Sequence, residues 1–131
     1  MRNGRRHGEA AQRFEERRRR EDEAPRLQAE LPRLRTLKLE VEERTGDGVV
    51  SAEPAHIRRV VVESAPALFV LSCGDARCKD GGHDITQTVM AALRAGMARF
   101  EGEDECTGSQ GSGYCARVLR YVGVATYGDA P

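Results

Sequence analysis

Four cysteines, Cys73, Cys78, Cys106 and Cys115, all fall in the second half of a 131-residue chain. The chain begins Met1-Arg2-Asn3-Gly4-Arg5-Arg6-His7-Gly8, without the apolar stretch of an export signal. An unexported chain is expected in the cytoplasm. There thiols stay reduced, and a cysteine cluster points to metal binding ahead of disulfides. Cys-x4-Cys lies at the long end of zinc-ligand spacings and Cys-x8-Cys lies beyond them. A four-cysteine site therefore has to be assembled by the tertiary fold.

Composition explains why such a clip would matter. Hydrophobic residues make up 39% of the chain and charged residues 32%, a lean supply for a core. The two kinds are unevenly spread. Residues 1–33 carry ten arginines against seven acids, whereas residues 34–131 hold eleven basic residues, fourteen acids and most of the apolar content. The expected organisation is a charged arm over 1–33, helical or disordered, followed by a compact domain over 34–131. A domain of that size has a modest core that a bound metal would strengthen. No apolar run approaches the roughly 20 residues that span a bilayer, so a membrane location is not expected. Arginine outnumbers lysine nineteen to two, a bias read as mainly genomic.

The run Arg17-Arg18-Arg19-Arg20 invites a nucleic-acid reading, because phosphate contacts dominate that affinity. Its neighbours oppose it. Glu15 and Glu16 precede Arg19 and Arg20 by four residues, and Glu21, Asp22 and Glu23 follow Arg17, Arg18 and Arg19 by four. On a helix these pairs neutralise one another. Pro25 and Pro32 interrupt any helix beyond them.

Thr36 to Glu42 alternates apolar and polar residues and predicts a strand with one buried face. Thr45 to Gly48 reads as a turn, and His56 to Glu63 as a second strand. Ala67 to Leu71 is nearly all apolar, which predicts a central strand covered on both faces. Asp84 is placed to cap a helix carrying Ile85, Val89, Leu93 and Met97 on one face, with Gly96 ending it. A short strand near Phe100 and a β-rich stretch from Cys115 to Tyr127 complete the order β-β-β-α-β-β. The fold class is α+β, a mostly antiparallel sheet of about five strands with one packed helix. If the helix crosses back over the sheet, the Phe100 strand runs parallel to the Leu68–Leu71 strand and Cys106 reaches the rim already holding Cys73 and Cys78. A hairpin through Gly108–Gly113 then returns Cys115 to the same rim.

The preferred reading is a tetrahedral zinc site at that rim, with the four cysteines as its ligands. His83, five residues after Cys78, offers an alternative set of three cysteines and one histidine, although beside Gly81 and Gly82 it reads better as an exposed loop residue. Unligated buried thiols, an iron–sulfur cluster and disulfides are the rivals. Glu101, Glu103, Asp104 and Glu105 read as a solvated acidic loop. The glycine-rich Gly108–Gly113 stretch leads into a strand, unlike a phosphate loop, which opens a helix. A closed four-thiolate zinc leaves no position for water and is structural. The chain therefore reads as a small non-enzymatic interaction module docking a protein or nucleoprotein partner. The alternatives are a thiol redox or cysteine-dependent enzyme using Cys73 or Cys78, and an RNA- or DNA-binding protein using Arg17–Arg20 with Arg117, Arg120, Tyr114 and Tyr121.

Overall fold

Alternation in the first long strand sets the architecture. In β1 (Leu34–Arg44) the side chains of Leu37, Leu39, Val41 and Glu43 are buried, and those between them are turned out. This is the period of two expected for a strand lying on a core. The computed structural model describes residue 12 and residues 15–44, 56–73, 78, 81–110 and 113–129. The turn expected at Thr45–Gly48 lies outside them.

Residues 15–23 form a helix (α1), and α2 is a single turn, Leu27–Glu30. β2 (His56–Val60), β8 (Val118–Tyr127) and β5 (Arg99–Glu105) join β1 in one antiparallel sheet of order β2-β1-β8-β5. Two further antiparallel pairs flank it, β3 (Val70–Ser72) with β4 (Gly82–Asp84) and β6 (Ser109–Gln110) with β7 (Gly113–Tyr114). The protein is thus α+β with antiparallel sheets. Its main helix, α3 (Thr86–Arg94), buries Val89, Met90, Ala92 and Leu93. These share one apolar cluster with Leu37, Leu39 and Val41 of β1, Phe100 of β5, and Leu119, Tyr121 and Ala125 of β8.

Both ends of α3 follow local rules. The N-cap is Ile85, one residue later than expected and without a side-chain cap bond, but the Asp84 carboxylate just before it accepts the Thr86 backbone N–H at 3.1 Å. At the other end Gly96 takes φ of 71°. Its N–H bonds the Leu93 carbonyl while that of Met97 bonds the Ala92 carbonyl, the paired closure that a left-handed glycine makes at a helix end. Met97 therefore lies past the helix and 44% exposed, where its spacing in the sequence predicted the buried face.

The stretch Ala67–Leu71 departs further from expectation. Only Val70–Ser72 is a strand, paired with β4 alone and outside the main sheet. Its backbone partners lie elsewhere. The Ala67 N–H bonds the Pro25 carbonyl, the Phe69 N–H bonds the Thr86 hydroxyl, and the Phe69 carbonyl takes the Ile85 N–H. Up to Phe69 the run is satisfied by the approaches to two helices, and only Val70 and Leu71 at its end join a ladder. Likewise β5 pairs with β8 and does not run beside the Leu68–Leu71 segment.

Residues before Leu34 join the core. Leu27 is completely buried and Leu31 nearly so. The Leu27 N–H bonds the Ala65 carbonyl, and Arg26 bridges to Pro66. Arg17 makes the expected i,i+4 ion pair with Glu21 at 3.6 Å. It also donates to the Val70 carbonyl and the Ser72 hydroxyl, both at 2.8 Å, and Arg20 reaches Asp84 at 3.2 Å. No helix among the described residues is long and apolar enough to cross a membrane.

Candidate metal centre

Each cysteine stands where an element ends or begins. Cys73 follows β3, Cys78 lies in the connection to β4, Cys106 follows β5 and Cys115 precedes β8. The last two are held by the flap that the β6–β7 hairpin closes. The Cys106 N–H bonds the Arg117 carbonyl, and the Cys115 N–H bonds the Gly108 carbonyl, both at 2.9 Å. All four sulfurs lie within 4.8 Å of one another. Cys73 and Cys115 approach to 3.8 Å, and Cys78 and Cys106 to 3.6 Å.

Those separations are informative. Four sulfurs placed tetrahedrally at about 2.3 Å from one ion sit about 3.8 Å apart along each edge. A disulfide needs about 2.05 Å, and a multi-iron cluster would spread its thiolates wider than a single ion does. The cluster could hold one metal ion. The rim was expected to form by a parallel crossover. It forms instead because β3–β4 lies beside the main sheet while the end of β5 meets the start of β8.

Two glycines make room for it. A Cβ on Gly108 or on Gly81 would overlap the Cys78 sulfur, and the two glycines also touch each other. The Gly108 N–H points at the Cys106 sulfur at 3.4 Å. The Arg117 backbone N–H bonds the Cys115 sulfur in the same two-residue manner. Amide donors aimed at sulfur favour the thiolate.

The thiols differ in acidity. Burial, with the bond to Cys106 and the nearby Cys115, pushes Cys78 up to about 11. Burial would also raise Cys115, but the Arg117 N–H and the three neighbouring thiols outweigh it and bring Cys115 below its ordinary value. A catalytic cysteine needs a lowered pKa together with access for substrate. Cys78 has the first reversed, and Cys115 is buried.

Beside the sulfurs runs a buried polar chain whose members no sequence motif brings together. His83, expected as an exposed loop residue, lies in β4 and is completely buried. Its Nε2 meets the Glu43 carboxylate at 3.2 Å, and its Nδ1 meets Asp104 at 3.0 Å. Both ring nitrogens are engaged, so His83 is not a further ligand. Glu43, itself buried, takes the Arg117 guanidinium at 2.9 Å and the Cys73 thiol at 3.8 Å. The acidic residues expected as a loop are strand β5. Asp104 is turned inward, and Glu101, Glu103 and Glu105 are exposed.

Residues expected to serve stacking and phosphate contact are placed differently. Tyr121 is buried, and burial raises its hydroxyl above its usual range. Arg117 is committed to Glu43. The side chain of Tyr114 lies outside the described set.

No protein-family model, no curated protein and no solved structure matches the chain.

Proposed function

We propose that the protein is a small non-enzymatic interaction module, clipped by one structural zinc held by Cys73, Cys78, Cys106 and Cys115, that docks a protein or nucleoprotein partner in a reducing compartment. The observation that carries this reading is the sulfur geometry: all four lie within 4.8 Å of one another, and the Cys78–Cys106 and Cys73–Cys115 separations, 3.6 and 3.8 Å, are close to the edge of a zinc–thiolate tetrahedron. Four thiolates close the coordination sphere. The ion then has no open position for a substrate or an activated water, and its contribution is to folding.

Elemental analysis of the purified protein should find close to one zinc per chain. Replacing zinc with cobalt should give the intense near-ultraviolet absorption of thiolate-bound cobalt(II), and Cys106→Ser should weaken it together with metal retention. Iron in place of zinc would reassign the ion. No metal after reconstitution, with all four thiols alkylated as fast in excess zinc as without it, would refute the site.

A further inference from the structure

In the sheet order β2-β1-β8-β5, strand β5 is an edge. Its register with β8 runs unbroken from Arg99 opposite Val124 to Glu105 opposite Val118. The Ala98 carbonyl accepts from Ala125, and the Cys106 N–H donates to Arg117. Backbone groups of a strand alternate between its two sides. Even-numbered residues therefore face β8, and the N–H and C=O groups of Arg99, Glu101, Glu103 and Glu105 point away from it. Among the described residues no strand pairs with that side.

The side chains along this edge sort by face. Arg99, Glu101, Glu103 and Glu105 stand exposed on the outer face at alternate positions, three acids to one base; Arg99 pairs with Glu101 at 3.5 Å and Arg120 of β8 lies opposite Glu103. Between β5 and α3 runs a mainly apolar groove of about 630 Å³ lined by Thr88, Ala91, Ala92, Met97, Arg99, Phe100 and Glu101. Met97, left outside the helix by the Gly96 closure, is exposed there.

We propose that the β5 edge is the docking surface, and that it takes an extended basic peptide segment as a fifth strand of the sheet. This rests on the reading of the protein as an interaction module and names the class of its partner. Main-chain bonds to residues 99, 101, 103 and 105 supply the pairing, as in other strand-addition complexes. Seven residues of strand span about 23 Å, so the segment is about seven residues long. Its side chains alternate. One set lies opposite the three glutamates and is lysine or arginine, and the other set enters the apolar groove and is aliphatic. A nucleic acid, with its phosphates, is disfavoured at an edge strand that carries three exposed glutamates against one arginine.

The test uses zinc-replete full-length protein and a capped eight-residue peptide alternating lysine with valine. Its controls are a glutamate-for-lysine version and a version N-methylated at alternate backbone positions. The lysine peptide should bind, and both controls should lose that binding. Hydrogen exchange should slow at the amides of residues 99, 101, 103 and 105, while those of 100, 102 and 104 stay as they were. The exposed triple variant E101K/E103K/E105K should weaken binding at least about tenfold and reverse the charge preference. Binding that survives N-methylation, protection without the odd–even pattern, no binding by a sample of full zinc content, or self-association of the protein at this edge that excludes the peptide would overturn the proposal. Metal content, read on the same sample, keeps a failure of this proposal separate from a failure of the zinc site.

Discussion

Replacing His83 with leucine should unfold the protein more readily than any exposed substitution, and the expected size follows from its partners. The ring is fully buried and bonded through both nitrogens to carboxylates, at 3.2 Å to Glu43 and 3.0 Å to Asp104. Leucine at this position takes the ring partner away from both carboxylates. Two charge-assisted bonds are worth about 1.5–3 kcal/mol each. Removing one member of a buried charged set costs about 3–5 kcal/mol. Glu43, at 6% exposure, has little access to water that would compensate. In a domain of this length the loss corresponds to about 10–20 °C in Tm. Urea unfolding in a fixed excess of zinc measures it, keeping the metal contribution equal across variants. The cycle with Glu43→Gln sharpens the test. Once Glu43 is neutral, His83→Leu should cost less by about 1–3 kcal/mol. A loss below about 1 kcal/mol for His83→Leu, or additive single effects, would show that these distances carry no energetic coupling.

Other outcomes follow from the same structure. Leu27→Ala should cost about 2–5 kcal/mol in chemical denaturation, because it empties a completely buried position. Gly108→Ala should lower metal affinity more than it lowers the stability of the metal-free chain, since the added methyl meets the Cys78 sulfur and Gly81; chelator competition reads it. For Asp84, burial raises the carboxyl, but the Thr86 hydroxyl and N–H and the Arg20 guanidinium hold it below its ordinary value. A depressed acid stabilises the fold above its unfolded pKa, about 3.9, and that contribution disappears as pH falls through the lower folded value. Asp84→Asn should therefore lower stability at neutral pH, change little below the folded value, and so flatten the acid end of the stability profile.

What could be read from the sequence was whatever one strand or helix decides alone. Leu37, Leu39 and Val41 announce their shared face by period, and Gly96 announces a helix end by its freedom at positive φ. The Ala67–Leu71 run misled because apolar content reports burial without saying what buries it. Here the approaches to α2 and α3 supply the backbone partners that a central strand would take from neighbours. His83 looked exposed beside two glycines, yet a signal for it was present. Glu43 continues the inward series of β1, and an acid at an inward position requires a cationic partner. Gly108, two residues after Cys106, and Gly81, three after Cys78, likewise marked where sulfur needs space. The convergence of the four cysteines depended on which strands pair, and no local pattern encodes that.

The position of the cluster makes a last prediction about where the fold would open. The sulfurs join the ends of β3 and β5 to the start of β8, at the rim where β1 ends in Glu43 and Arg44. The opposite end of the sheet is closed by apolar contacts of Leu27, Leu31, Leu34 and Leu93, which no metal touches. Local unfolding follows local stability, so chelation should open one end first. In hydrogen exchange with excess chelator, the Cys106 and Cys115 amides, bonded to Arg117 and Gly108, should lose protection early. Those of Val89 in α3 and Ala125 in β8, bonded to Ile85 and Ala98, should hold. Restored zinc should reverse the loss. Equal loss at all four amides would mean that the clip supports the whole fold, and no loss at the two cysteines would mean that the flap needs no metal to stay closed.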